Sequence, residues 1–220
     1  MTKGVGALTP FSMQDYPDHL SAIIWFCGCN LRCFYCHNLD LVDGEPRFSE
    51  EQVFEFLTSR RGLLEGVVLS GGEATLYPNL KEFIKNIKKL GFKIKLDTNG
   101  TKSNLIKEMI DESLLDFIAV DFKALKERYQ EVTKAKNLYE ENLKSIKAVA
   151  KSGIDYEVRI TYHSDFFNKE ELSKMYRSLL IIGVESRKIR LQNYVTTSKY
   201  ELGLAPSTKI ALCDITSLYE

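Results

Sequence analysis

Short apolar stretches alternate along the chain with amphipathic stretches, and this alternation predicts strands separated by helices. Six apolar stretches rich in β-branched and aromatic residues have the length of strands and occupy residues 21–26, 66–73, 92–97, 116–123, 155–161 and 187–192. Five stretches with helical spacing occupy residues 49–60, 79–90, 103–113, 137–152 and 168–182. A capping box at Ser49 and Gln52 marks where the first of these helices begins. Alternation of this kind is typical of parallel βαβ units joined by right-handed crossovers.

Four of the predicted strands carry their polar residues on one face only. In the strand at 116–123, Ile118 and Val120 point to one side, whereas Asp121 and Lys123 point to the other. A sheet covered by helices on both faces is apolar on both faces, so this pattern favours a barrel with a polar interior. We therefore predict an α/β fold, a partial, open βα barrel of about six parallel strands, TIM-like, with its chemistry at the carboxyl ends of the strands.

Composition and charge narrow the function classes. Lys+Arg and Asp+Glu are both 30, so the formal net charge is zero and gives no reason to expect a nucleic-acid partner. No apolar run is long enough to span a membrane, and the N-terminus lacks the apolar stretch of a signal peptide. We expect a cytoplasmic protein with no membrane partner, in a reducing compartment where disulfides are disfavoured. The 220 residues suit a single domain, with a core at about 20–194, an N-terminal lead-in at 1–19 and a short C-terminal extension at 195–220.

Four of the five cysteines lie within WFCGCNLRCFYCHN, residues 25–38. The tightest spacing among them is Cys29-x3-Cys33-x2-Cys36. Three thiolates from one loop can hold three irons of a [4Fe–4S] cluster, which leaves the fourth iron open to a substrate or cofactor. The alternative is a zinc site with a fourth ligand from the same stretch, but a structural zinc usually takes two separated ligand pairs and no second pair exists here.

This cysteine motif, with Tyr35 directly before its last cysteine, resembles the signature of the radical S-adenosylmethionine (SAM) enzymes. GCNLRCFYCHN and FSMQDYPDHLSAIIWFCGC are similar to the glycyl-radical-enzyme activases, nearest the activating proteins of anaerobic ribonucleoside-triphosphate reductase. The similarity covers most of the chain up to about Tyr194 and implies that Cys29, Cys33 and Cys36 bind a [4Fe–4S] cluster. It implies that reductive cleavage of SAM there yields a radical that takes hydrogen from a glycine of a partner enzyme, with flavodoxin or ferredoxin as electron donor.

The resemblance also implies which residues bind SAM. Glu73 and the glycine backbone before it would hold the amino group, in the SGGE turn after the second strand. Lys123 and Arg159 would hold the carboxylate, while Asp121 would hold the ribose or a cation. The complete set implied for the cofactor is Tyr35, Gly71, Gly72, Glu73, Thr98, Asn99, Asp121, Lys123, Arg159 and Gln192. The alternative for the charged residues is a set of interior salt bridges that balance one another.

Resemblance to pyruvate formate-lyase activase implies one further site. Asp97, Thr98 and Asp121, with the carbonyl of Ala119, would bind a monovalent cation beside the SAM carboxylate. Gln192 and Asn193, at the end of the sixth predicted strand, are expected to reach the cofactor or a peptide.

Several residues depart from the pattern of the activases or receive no role. Cys27 and Cys213 are expected to be small apolar fillers. His19 and His163 are expected to be ordinary loop residues. Ala74 stands where a proline is common after the acidic residue of the glycine turn.

Two other functions stay open at this point. One is a radical SAM enzyme acting on a small molecule, such as the enzymes that ring-contract a pterin to a deazaguanine, although these often depart from the x3-x2 cysteine spacing. The other is a metal-bearing interaction module without catalytic activity. No cysteine lies between Cys36 and Cys213, so the chain offers no second cysteine set for an auxiliary cluster.

Overall fold

A computed structural model describes residues 3–195, 204 and 206–216. Its strands are β1 (Val5–Ser12), β2 (Ser21–Phe26), β3 (Gly66–Gly71), β4 (Lys93–Thr98), β5 (Phe117–Asp121), β6 (Asp155–Tyr162) and β7 (Ile189–Asn193). Its helices are α1 (Leu39–Val42), α2 (Glu50–Ser59), α3 (Leu80–Lys89), α4 (Ser103–Asp111), α5 (Lys126–Thr133), α6 (Tyr139–Ala150), α7 (Lys169–Ile181) and α8 (Cys213–Thr216). Short 3₁₀ turns occupy Ala74–Leu76 and Ser186–Lys188.

One seven-stranded sheet runs in the order β1 to β7, and within the described residues its two edges do not pair with each other. The strands from β2 to β7 are mutually parallel, which confirms the six predicted strands and the open, partial barrel. The capping box at Ser49 is present and begins α2.

The first strand was not predicted, because residues 1–19 were expected only to lead into the barrel. β1 pairs antiparallel with β2, with two register irregularities, and it contains Pro10. Proline has no backbone N–H to donate to a neighbouring strand, so it is tolerated on an edge strand such as β1. Its presence interrupts the strand pattern in the sequence of β1.

The α5 helix was also absent from the prediction. Its sequence, KERYQEVT, buries only Tyr129, Val132 and Thr133, and its first turn has no side-chain cap. Such a short, mostly polar stretch carries little helical periodicity. None of the helices in the described ranges is long and apolar enough to cross a membrane.

The barrel interior has an apolar floor near the amino ends of the strands. Tyr16, from the segment between β1 and β2, packs there with Ile23 and Val68, and Trp25 and Phe117 lie against them. The ring of Tyr16 covers the start of β3, where a side chain on the glycine at position 66 would clash with it at 2.7 Å. Trp25 also lines a cavity at the carboxyl ends of the strands, whereas Tyr16 and Phe117 line a second, polar pocket at their amino ends.

Candidate active site

The cysteine loop follows β2 and is held by its own backbone and one arginine. Its backbone N–H groups at Arg32 and Phe34 donate to the carbonyls of Thr133 and Val132 at 2.8 and 3.3 Å. The Arg32 guanidinium donates to the carbonyl of Cys29 at 2.7 Å. These bonds order the loop without a disulfide, since all five cysteines are free.

A cavity of about 300 Å³ lies between this loop and the carboxyl ends of the parallel strands. It is lined by all thirteen residues predicted for the cluster and the cofactor: Cys29, Cys33, Tyr35, Cys36, Gly71, Gly72, Glu73, Thr98, Asn99, Asp121, Lys123, Arg159 and Gln192. The prediction for the cofactor missed other lining residues, among them Trp25, Ser70 and Thr161. These three project from the inward faces of their strands, so the same two-residue alternation could have identified them.

Two of the cysteines lie away from this cavity. Cys27 is buried, and its sulphur lies only 2.4 Å from where a side chain on Gly6 would begin. It therefore fills the space under β1, on the other side of the loop. Cys213 is exposed at the start of α8, which does not agree with its expected role as a buried filler.

Two of the three motif cysteines, Cys29 and Cys33, are thiols with strongly raised pKa values. Burial raises the pKa of Cys29 to about 12 and that of Cys33 to about 11. A metal group that binds them must displace their protons, because only the thiolate is a strong ligand.

Glu73 directly precedes the 3₁₀ turn that follows β3, and the residue is only 2% exposed. One oxygen, Oε1, accepts from the backbone N–H and hydroxyl of Thr75 at 3.0 and 2.5 Å and from the hydroxyl of Thr98 at 2.7 Å. The other, Oε2, accepts from the backbone N–H of Asn99 at 2.7 Å. Burial raises the pKa of Glu73, and these donors oppose the rise. Glu73 thus links the turn after β3 to the end of β4 through its hydrogen bonds, and it also lines the cavity.

Asn99 connects the end of β4 to the cysteine loop. Its side-chain amide donates to Asn30 at 2.9 Å and lies 3.9 Å from the sulphur of Cys29. Its side-chain oxygen accepts from the backbone N–H and hydroxyl of Thr101 at 3.0 and 2.7 Å. Asn30 was not predicted as a site residue, because its partner is distant in the chain.

Charged side chains on or just after β4, β5 and β6 form one continuous series of salt bridges beside the cavity. Asp97 binds Lys95 through Oδ1 at 2.5 Å and Arg159 through Oδ2 at 3.3 Å. Asp121 binds Arg159 through Oδ1 at 2.8 Å and Lys123 through Oδ2 at 2.8 Å. Burial opposes ionisation of both carboxyl groups, but the neighbouring cations outweigh it and lower both pKa values, that of Asp121 to about 2. The salt bridges weighed as an alternative are therefore present.

Arg159 lies between Asp97 and Asp121, two of the residues expected to bind a monovalent cation. Every carboxylate oxygen of Asp97 and Asp121 already faces a cationic side chain. The hydroxyl of Thr98 donates to Glu73 and accepts from the backbone N–H of Gly100 at 3.0 Å. Each of these side-chain oxygens therefore already has a partner within the protein.

Tyr35 connects the cysteine loop to the end of β5. Its hydroxyl donates to the carbonyl of Lys123 at 3.1 Å, and the ammonium of Lys123 lies 5.9 Å from the centre of its ring.

Asn193, which was expected to reach the cofactor or a peptide, exchanges two hydrogen bonds of 2.9 Å with the backbone of Ile210 and is turned toward the C-terminal segment. His163, expected in an ordinary loop, is fully buried between Phe166 and Tyr194.

The residues present fit an iron–sulfur cluster with an open coordination position. Three free thiols come from one loop, and no other cysteine lines the cavity. The rest of the cavity lining carries glycine backbone, cations and carboxylates, which suit a small zwitterion. The fold and the site together define an open βα-barrel enzyme that uses a cysteine-bound cluster and a charged organic cofactor.

The chain belongs to the radical SAM superfamily, whose family model matches residues 23–179. Enzymes of this superfamily use a [4Fe–4S] cluster and SAM, and these are the cofactors of this chain.

Relatives with assigned names fall into two groups. A protein of Methanocaldococcus jannaschii, named provisionally as a glycyl-radical enzyme activating enzyme, is 32% identical over 184 residues, which is 80% of this chain and 75% of that protein. The pyruvate formate-lyase-activating enzyme of Clostridium pasteurianum is 26% identical over 90% of this chain and 85% of its own length. A protein of Pyrococcus horikoshii, named provisionally as a GTP 3′,8-cyclase, is 32% identical, but over 56% of this chain and 40% of its own length.

Solved structures agree on the fold. SuiB of Streptococcus suis bound to SAM superposes with a TM-score of 0.63 over 87% of this chain and 43% of that chain, at 18% sequence identity.

Proposed function

We propose that the protein is a glycyl-radical enzyme activating enzyme and that its partner is an anaerobic ribonucleotide reductase. The observation that carries the activase role is the extent of the similarity. It covers 75% and 85% of two activating enzymes, against 40% of a GTP cyclase. The finer choice of partner is supported by the resemblance of residues 11–38 to the activators of that reductase and by the absence of a second cysteine set.

In this proposal, Cys29, Cys33 and Cys36 hold the cluster. When bound, the cluster and SAM supply one-electron reductive cleavage of a carbon–sulphur bond of SAM, which allows a hydrogen atom to be taken from the partner's glycine. Arg32 orders the cysteine loop through the carbonyl of Cys29. Flavodoxin or ferredoxin is the proposed electron donor, and the cytoplasm is the proposed location.

The remaining cavity residues bind and orient SAM in this proposal. Glu73 and the glycine backbone beside it accept the amino group, while Lys123 and Arg159 attract the carboxylate. Lys123 donates one hydrogen bond to Asp121 and has further N–H donors for a ligand. The open edges of the sheet leave room for a loop of a large protein, since the barrel is not closed.

The test is to mix this protein anaerobically with the reductase, SAM and a reductant, and to record the electron paramagnetic resonance spectrum. We expect the doublet of a glycyl radical, and chain cleavage of the reductase when oxygen is admitted. Cys33→Ala should abolish the doublet, whereas Cys213→Ala should preserve it. Consumption of SAM without a doublet from any glycyl-radical enzyme of the source organism would reject the proposal.

The similarity to a GTP cyclase favours one second candidate, a radical SAM enzyme acting on a small molecule. The same incubation with GTP in place of the reductase distinguishes the two. A GTP-derived product that depends on SAM would support the second candidate.

A further inference from the structure

We propose that Arg159 is a built-in replacement for a monovalent cation, so that SAM binding by this protein requires neither Na⁺ nor K⁺. This inference rests on the proposed SAM site. It concerns Asp97 and Asp121, the two carboxylates that the resemblance to pyruvate formate-lyase activase assigns to a bound ion.

Arg159 occupies the space between these two carboxylates. It projects inward from β6 with its side chain 13% exposed. Its Nη1 lies 3.3 Å from Asp97, and its Nε donates to Asp121 at 2.8 Å. One rigid guanidinium therefore bridges both groups, which is the position a shared ion would need.

The charges around this bridge are already balanced. Lys95 and Lys123 occupy the remaining carboxylate oxygens at 2.5 and 2.8 Å. Glu157 lies 3.9 Å from Arg159 and supplies a third negative charge to match three cations. The cluster therefore has no net negative charge left to attract a further cation into a poorly solvated interior.

The oxygen of Thr98 is also committed elsewhere. Its hydroxyl donates to Glu73 and accepts from the backbone N–H of Gly100. An arginine keeps its charge over the whole accessible pH range, so the bridging cation does not depend on the ions in the medium.

The first experiment uses the protein with its cluster assembled and measures SAM affinity by calorimetry under argon. Three chloride salts are compared at equal ionic strength: sodium, potassium and tetramethylammonium, whose bulk prevents it from entering the site. We expect the dissociation constant of the wild type to differ by less than about twofold among the salts, as for general screening alone. A loss of affinity of about tenfold or more in tetramethylammonium would overturn the inference.

The second experiment removes Arg159, so that a monovalent cation can bind between Asp97 and Asp121. Arg159→Ala leaves Asp97 and Asp121 unbridged, and SAM affinity should fall roughly tenfold to a hundredfold in tetramethylammonium. Sodium or potassium should restore part of it, and should raise the Tm of the protein without cluster or SAM, because an ion that binds only the folded state stabilises it. If neither ion changes affinity or Tm, the bridge is not an ion site.

Two further variants control this result. Arg190→Ala removes an arginine from the neighbouring strand whose Nε lies 3.8 Å from Glu157, and whose side chain is 65% exposed. It should leave SAM binding insensitive to the cation. Arg159→Lys keeps the positive charge. It should bind SAM more weakly than the wild type, and its SAM affinity should not depend on Na⁺ or K⁺. This variant takes the place of Arg159→Ala as the test if Arg159→Ala does not fold. A wild type that neither binds nor cleaves SAM in any salt would instead reject the proposed function.

Discussion

Replacing Glu73 by Gln tests whether this carboxylate is required by the fold before any cofactor binds. The carboxylate accepts four hydrogen bonds and donates none. A glutamine has the same shape but offers an acceptor at only one of the two positions. In its better orientation the amide oxygen keeps the three donors at Oε1, and its NH₂ group then faces the N–H of Asn99 at the 2.7 Å position.

The magnitude follows from that one lost partner. Asn99 is 5% exposed, so water does not replace the bond. Leaving a buried donor unpaired costs about 1–3 kcal/mol, and two opposed donors add repulsion. We therefore expect Glu73→Gln to lower the free energy of unfolding by about 1–3 kcal/mol in the protein without cluster or SAM. Thr98→Val removes one donor to Glu73 and also the acceptor of the buried Gly100 N–H, so it should cost about 1–3 kcal/mol.

Urea unfolding of the cofactor-free protein measures this loss. Trp25 is the only tryptophan, and its indole donates to Thr9 of the neighbouring strand at 2.8 Å, so its fluorescence reports on tertiary structure. Glu82→Gln is the matched control, since Glu82 is 62% exposed on α3 and lies 4.0 Å from Lys89. The control should stay within about 0.5 kcal/mol of the wild type.

One result would refute this reasoning. If Glu73→Gln matches the stability of the wild type and loses only SAM affinity, the four hydrogen bonds contribute nothing net to the fold.

Two further predictions address the glycine turn and the interior charges. Gly72→Ala should lower the free energy of unfolding by about 1–3 kcal/mol and reduce the iron content after reconstitution, since the added methyl would lie 2.2 Å from the carbonyl of Gly28 beside the cysteine loop. Gly91→Ala, which meets open space at a φ of +94°, should cost about 1 kcal/mol and leave the iron content unchanged. The second prediction concerns Asp121. Burial opposes ionisation of its carboxyl group, but Arg159 outweighs burial and lowers its pKa from 3.8 to about 2. The stabilisation that the ionised Asp121 gives the fold is therefore complete above pH 3.8 and is lost as the pH falls through about 2. It amounts to about 2 kcal/mol, and Asp121→Asn should flatten this part of the acid dependence in urea unfolding measured across that pH range.

The sequence by itself determined the parallel strands and the cysteine loop. Each strand from β2 to β7 is a local run of β-forming residues, and its alternation assigns inward and outward faces without knowledge of its neighbours. The spacing of Cys29, Cys33 and Cys36 is equally local. Because the carboxyl ends of parallel strands meet at one end of a barrel, residues predicted at those ends line one cavity.

Only the tertiary structure decided which of those residues pair. Arg159 reaches Asp121 across 38 positions of the chain, and the register between β5 and β6 places the two side by side. The edge strand β1 likewise depends on its partner, since an irregular strand containing a proline is stabilised by pairing and burial rather than by its own propensity. Alternation identifies the side chains that face the interior, but their distances to one another follow from strand register and barrel curvature, which no local pattern encodes.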